Sequence, residues 1–429
     1  MKSIFAFLIL SALSKGLAAQ KPNCNHYKQE LHFKSSELEN MRSDTLDILN
    51  YHIELDISNI ASRAISGSCT IDFQPKMDGV SSISLDLLGF TVDSIIQNGA
   101  PLSYSYNDTL LVAELDGIYD LGERSAIRVY YRGTPSIDPS GWGGFYMQSG
   151  YAFNLGVGFE SYPHNFGRAW FPCFDNFVER STYSFNIITA AGEIAACNGH
   201  LANRYNLPSG KVANEWIMED KIPTYLACVA VSSYSTVHLS HAGKEKDIPI
   251  EIYALSNDTS AVKSSFANLG PAVDAFENAF GPYRWEKIGY SMVPFNSGAM
   301  EHATNIAYPR TSGVGGLGSE TLMAHELAHS WWGNLATCHK AEEMWINEGM
   351  ASYCESLFLE HVYGRGEYEE DVASRHLYVL RYPHHLEDGF WALDSVPLKH
   401  TYGDHVYRKG ADIAHTLRGY LGDELFFSS

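Results

Sequence analysis

Five residues constrain this chain more than anything else in it. His325-Glu326-Leu327-Ala328-His329 is an H-E-x-x-H run inside a segment with helical periodicity. At about 3.6 residues per turn, positions i and i+4 project from the same face, so both imidazoles can reach one ion. Two donors are not enough for zinc, which takes a small tetrahedral set of N, O or S ligands. The third is sought among acidic residues on another helix. Glu348, in Trp345-Ile346-Asn347-Glu348-Gly349, lies 19 residues after His329. That interval permits a helix end, a loop at Gly333-Asn334 and the start of an antiparallel return helix. A His325/His329/Glu348 site with an open fourth position is catalytic rather than structural.

The rest of the chain sets this helical element behind a β-rich half. From about Asp47 to Asp247, Tyr51, Ile53, Leu55 and Ile57 alternate with polar residues, as do Ile83, Leu85 and Leu87, with Gly, Asn, Asp and Pro clusters between runs. The pattern predicts an antiparallel β-domain over 45–247. Beyond 247 the segments lengthen. Ala261 to Ala279 reads as a helix stopped at Gly281-Pro282, and Lys287 to Pro294 as a buried strand. Helices are expected at 319–332, 343–363 and from near Tyr407 to Gly422. The fold class is therefore multidomain β plus α/β, with a mainly helical domain over 248–429.

Composition excludes some functions. A formal net charge of −20 with no Lys/Arg-rich run rules against nucleic acid as a partner. The N-terminus carries Lys2, an apolar run from Ile4 to Leu10 and small residues at Gly16-Leu17-Ala18-Ala19, which reads as a cleavable signal over 1–19 and a secreted or periplasmic destination. A polar lead-in follows over 20–44. No later run reaches about 18 uninterrupted apolar residues, so no membrane span is expected. Seven cysteines, at 24, 69, 173, 197, 228, 338 and 354, form no C-x-x-C pair. Buried apolar thiols are the default reading, with disulfides open to an exported chain.

The ligand run extends to His325-Glu326-Leu327-Ala328-His329-Ser330-Trp331-Trp332-Gly333-Asn334, with Trp345-Ile346-Asn347-Glu348-Gly349-Met350-Ala351 downstream. Together these resemble the aminopeptidase N family of zinc metallopeptidases, which includes leukotriene hydrolase. Gly298-Ala299-Met300-Glu301 is similar to the family's exopeptidase motif, Tyr407-Arg408-Lys409-Gly410-Ala411 to its catalytic-tyrosine motif, and Arg168-Ala169-Trp170-Phe171-Pro172-Cys173-Phe174-Asp175 to an N-terminal-domain signature. Thr224-Tyr225-Leu226-Ala227 also fits. The resemblance covers about 45 to 429.

It implies a thermolysin-like catalytic domain, one zinc ion per chain, and peptides with a free N-terminus as substrates. Zinc lowers the pKa of water to roughly 7 and polarises a carbonyl. By motif match Glu326 is the general base and acid. By resemblance Tyr407 donates to the oxyanion, Glu301 binds the substrate's α-ammonium, and Gly298, Ala299 and Met300 offer backbone groups to an extended peptide. Glu160 is the nearest candidate for a further amine-binding side chain before the Arg168 signature. Glu355, two turns after Glu348, either supports the site from behind or is a surface carboxylate.

Two features depart from the family pattern. His302 stands where most members carry Asn, and is either a ring of uncertain charge beside Glu301 or a histidine satisfied locally. The chain ends 22 residues after Tyr407, whereas members continue, so the catalytic domain is expected to be incomplete, whether as a fragment or for want of a cap. The competing functional reading is a non-catalytic or truncated member that binds peptides without turnover. Gly313-Val314-Gly315-Gly316-Leu317-Gly318 matches G-x-G-x-x-G, but the helix it opens carries the ligands, so it reads as a loop leading to Ser319 as N-cap.

Overall fold

The computed structural model describes residues 42–428. The expected signal over 1–19, Cys24 and the lead-in before Arg42 lie outside the described residues.

Strand alternation decides the first half. In Leu46–Asp56, Tyr51, Ile53 and Leu55 point inward at 0–1 % exposure, and Ile57 continues the row. They sit opposite Tyr183, Phe185 and Ile187 of Ser181–Thr189 on one side and Ile71, Cys69 and Gly67 of Ile65–Pro75 on the other. The resulting eight-stranded sheet runs His200–Asn206, Val212–Ile222, Ser181–Thr189, Leu46–Asp56, Ile65–Pro75, Ser125–Gly133, Thr91–Gln97, Ala100–Pro101. One pairing departs from the antiparallel expectation. Leu46–Asp56 and Ser181–Thr189 are parallel, because the chain leaves the sheet to build smaller ones before it returns. One of these has four strands, in the order Ile194–Cys197, Val229–Ser232, Tyr151–Leu155, Gly144–Gln148, and Tyr151–Leu155 is buried throughout.

The second half is organised on another four-stranded sheet, Tyr234–Ala242, Asp247–Leu255, Ile288–Val293 and Ile306–Pro309. Its first pair is antiparallel and the other two pairings are parallel. Since Tyr234–Ala242 pairs with Asp247–Leu255, the change of sheet falls near Ser233, and residue 247 lies within a hairpin of the second half.

The helix expected over 261–279 is two helices, Thr259–Ser265 and Leu269–Phe280. Phe266 sits in the break, buried with its ring edge-on to Tyr290 at 4.7 Å and to Tyr308 at 5.4 Å. Gly281 ends the second helix at φ 95°, as its position suggested. Helix Arg365–Arg381 has no counterpart in the sequence reading. Only Tyr368, Val372 and Arg375 are buried on it, too narrow a stripe to stand out in a polar segment. Among the described residues no helix is long and apolar enough to cross a membrane. The six described cysteines are buried free thiols.

Candidate metal centre and active site

Sheet tyrosines hold the ligand helix Glu320–Ala328 in place. Tyr290 donates its hydroxyl to the Met323 carbonyl at 3.0 Å, and Tyr308 donates to Ser319 at 3.0 Å. Ser319 occupies the N-cap position, but its side chain makes no cap hydrogen bond, contrary to expectation; its carbonyl is what the helix uses. The glycine loop before it is tied down by Ser264 and Ser265, whose hydroxyls accept the N–H groups of Gly316 and Gly315. The helix ends at His329, and the chain turns at Gly333, whose φ is 117°. A side chain there would press on the His329 ring, so glycine is required twice over.

The N-terminal half braces this turn. Arg180 donates to the Asn334 carbonyl at 2.6 Å and to the Thr337 hydroxyl at 2.9 Å. Tyr225 donates to the Gly333 carbonyl at 3.2 Å. The chain then returns through a 3-10 segment, Ala341–Ile346, into helix Glu348–Tyr363. Glu348 is its first residue, aimed back at the two histidines.

Three donor atoms meet there. His325 Nε2 and His329 Nε2 are 3.1 Å apart, and Glu348 Oε2 lies 3.4 and 3.3 Å from them. Ligands at about 2.0–2.1 Å around a tetrahedral zinc stand about 3.3 Å from one another, so the triangle fits such an ion. The other ring nitrogens are engaged: His325 Nδ1 donates to Glu355 Oε1 at 2.9 Å and His329 Nδ1 to the Trp332 carbonyl at 2.8 Å. This assigns both Nε2 lone pairs to the shared point. Glu355 therefore supports the site from behind, the first of its two readings.

The electrostatics agree with a cation at that point. Burial opposes ionisation of Glu348, but the facing His329 and His325 imidazoles outweigh it and hold the carboxyl below the usual range. Burial likewise disfavours a charged His329, and Glu348 outweighs it. The carboxylates of Glu348 and Glu355 raise His325 in the same way, so the pocket stabilises positive charge among three buried donors, as a divalent ion at that point requires. Replacing Glu355 with Gln is expected to weaken zinc affinity about 10–100-fold, read by competition with a chromogenic chelator.

Beside the triangle lie two further carboxylates. Donor atoms of Glu301, Glu326 and His329 all fall within 4.8 Å of one another. Glu326 Oε2 is buried without a hydrogen-bond partner among the described residues, and burial pushes its carboxyl up to about 6. Burial raises Glu301 as well. Glu301 is held by its backbone: its carbonyl accepts Asn334 Nδ2–H at 3.0 Å, and Met300 exchanges N–H···O bonds with Ala307 at 2.9 and 3.0 Å. Gly298, at φ 116°, passes the Trp142 indole, whose Nε1–H donates to the Ser297 carbonyl at 2.7 Å. Among the described residues the backbone groups of Gly298 and Ala299 have no backbone partner. They line the cavity and can pair a ligand strand.

Tyr407 comes from a π-helical turn, His405–Lys409, and its ring lies parallel to that of His325 at 6.1 Å. The helix expected to begin near it starts at Gly410. Burial pushes its phenol well above the ordinary range, so it stays a donor. Gly349 and Gly410 make this approach possible, since a Cβ on either would collide with the other's backbone.

These groups enclose a cavity of about 330 Å³. Sequence reasoning missed one of its walls, a run of stacked rings: Trp142 on Phe159 and Phe159 on Tyr402, each at 4.5 Å between centroids. The rings come from three distant segments, and no local signal marks them. Glu160 does not join the cavity. The Asp138 carboxylate accepts the N–H groups of Glu160 and Ser161 at 3.1 and 2.9 Å, turning Phe159 inward and leaving Glu160 exposed. The Arg168 signature shapes the same loop: Arg168 pairs with buried Asp175 at 3.0 Å and donates to the Pro163 carbonyl at 2.9 Å. His302 is buried away from the cavity. Burial pushes its pKa down to about 3, and Nε2 accepts Asn154 Nδ2–H at 3.2 Å, so the ring is neutral.

Comparison with known proteins gives the same picture. Residues 47–226 match the family model of the peptidase M1 N-terminal domain, and residues 265–429 that of the peptidase family M1 domain. Human glutamyl aminopeptidase is 30 % identical over 290 residues, covering 60 % of this chain and 28 % of its own length. Bovine endoplasmic reticulum aminopeptidase 2 is 27 % identical over 275 residues, with 60 % and 28 % covered. The matched part of the chain thus spans under a third of those relatives. A mutant M1 zinc metallopeptidase from Deinococcus radiodurans, solved with a Tyr-Ser-Ala substrate, superposes with a TM-score of 0.80 at 23 % identity, covering 90 % of this chain and 85 % of that one. Yeast LTA4 hydrolase superposes at 0.73 and 19 % identity, with 90 % and 61 % covered.

Proposed function

The chain belongs to peptidase family M1, a family of zinc metallopeptidases, and from that premise we propose that it is an aminopeptidase holding one zinc ion and removing the N-terminal residue from peptides. The observation that carries this reading is the place of Glu301, a buried carboxylate beside the donor triangle. An α-ammonium, with a pKa of roughly 7.7–8.0, is largely cationic near neutrality, and a fixed carboxylate registers it. Glu301 thereby sets the first peptide bond, and no other, against the reacting centre.

His325, His329 and Glu348 would hold the zinc, which supplies Lewis acidity to water and to the scissile carbonyl. Glu326, which lines the cavity, takes the proton from the attacking water and later delivers it to the leaving nitrogen. Tyr407 donates its phenolic O–H to the oxyanion as the carbonyl becomes tetrahedral. The free backbone edge at Gly298 and Ala299 keeps the peptide extended past these groups. The Trp142, Phe159 and Tyr402 rings give the cavity an apolar wall beside these groups.

Tyr407→Phe keeps the ring and deletes the donor. Turnover of a leucine arylamide is expected to fall about 10²–10³-fold with KM little changed. The overall reading is tested by titrating zinc into chelator-stripped protein while following release of arylamine. Activity that rises to a plateau at one zinc per chain supports it; zinc-loaded protein that leaves the arylamide intact overturns it.

A further inference from the structure

Tyr407 depends on an unusual piece of backbone. In the turn His405–Lys409 the N–H groups of Arg408 and Lys409 both bond the Asp404 carbonyl at 3.0 Å, inserting one residue ahead of helix Gly410–Leu421. A π turn bonds less favourably than α-helix and persists where its surroundings over-determine it. From within this turn the Tyr407 ring lies parallel to that of His325 at 6.1 Å.

The over-determining group is the carboxylate of Glu387. It accepts the backbone N–H groups of Asp404 and His405 and the Nδ1–H of His405, the last at 2.5 Å. Both side chains are buried, at 7 % and 3 % exposure. Burial opposes ionisation of Glu387, but His405 and the backbone N–H groups of Asp404 and His405 together outweigh it and hold the carboxyl below its usual range, so the acceptor is a carboxylate. His405 Nε2 accepts the Trp391 N–H at 3.4 Å, which places the ring proton on Nδ1. At the far end of the turn, Lys409 Nζ donates to the Trp391 carbonyl, and the Trp391 indole N–H donates to the Glu387 carbonyl at 2.7 Å. Residues 387–391 therefore grip both ends of the turn. Gly403 lies so close to the Glu387 carboxylate that a Cβ would collide with it.

We propose that Glu387 and His405 are positioning residues for Tyr407, holding the π turn in the register from which its phenol reaches the substrate's developing oxyanion. The inference rests on the role given to Tyr407 above. Neither side chain lines the cavity. Their contacts reach the site through the turn that carries Tyr407, which gives the proposed role a signature that a purely structural one lacks.

The test is a double-mutant cycle on the full chain with zinc bound, using kcat and KM for a leucine arylamide. Glu387→Gln is expected to lower kcat about tenfold or more with KM within about twofold, and to add less than about twofold in the Tyr407→Phe background. His405→Asn, whose amide can donate where Nδ1–H does, is expected to keep most activity that His405→Phe loses. Equal fold-losses in both backgrounds, an unchanged kcat in Glu387→Gln, or equal behaviour of the two His405 variants overturns the inference. Should Glu387→Gln not fold, the His405 variants decide; if they too fail to fold, the pair holds the domain rather than the phenol, and the inference is wrong. Absence of turnover by the wild type with zinc is a separate outcome, which removes the aminopeptidase reading and this one with it.

Discussion

Glu326→Gln is expected to leave the protein folded and zinc-loaded while lowering kcat about 10²–10⁴-fold, the usual contribution of a positioned general base and acid. The residue is suited to the role by where its helix puts it. It follows His325 directly, so its carboxylate leaves the helix beside the donor triangle rather than within it. Among the described residues one of its oxygens is buried with no hydrogen-bond partner, and burial pushes the carboxyl up to about 6. Such a group is ionised at neutral pH yet basic enough to accept a proton and return it. Gln is nearly isosteric and can still hydrogen-bond water, but it cannot take a proton. The variant separates proton transfer from packing: stopped assays and metal analysis on one preparation should show lost turnover with full zinc. A variant that keeps wild-type turnover would remove Glu326 from the mechanism.

His329→Ala is expected to abolish zinc retention and activity together. The three donors stand 3.1–3.4 Å apart, and with His329 gone only His325 and Glu348 face the ion. The loss also leaves Glu348, Glu301 and Glu326 buried near one another without the imidazole that faces them. Buried like charges of this kind are costly, so the variant should also melt earlier. Dialysis against a chelator separates the two effects. Wild-type protein should recover activity when zinc is returned, and the variant should not, whatever the excess. Recovery by the variant would mean that the metal sits elsewhere.

What was legible in the sequence follows helix arithmetic. His325 and His329 are one turn apart, so their convergence needs no tertiary knowledge. Glu348 needed only a loop of the right length, and Gly333 supplies it. The inward rows of Leu46–Asp56 and its neighbours were legible for the same reason, a fixed period meeting a buried face. The remainder depends on contacts between segments far apart in the chain. Glu160 was drawn to the site by its place before Arg168, but Asp138, 22 residues upstream, fixes the loop and turns Phe159 inward instead. The Trp142, Phe159 and Tyr402 wall is assembled from three such segments. Tyr407 was legible as a residue but not as geometry, because the π turn that aims it is held by Glu387 from outside the motif. His302 raised a question of charge that only its burial answers.

The central claim is that the site acts at a free N-terminus, and one comparison tests it directly. Zinc-loaded protein is incubated with a single peptide prepared in two forms, one with a free α-amine and one N-acetylated, and both are followed by mass spectrometry. The account predicts stepwise loss of residues from the start of the free peptide and no change in the acetylated one, whose amide carries no charge for Glu301 to bind. Cleavage at the same internal bonds in both forms would contradict it.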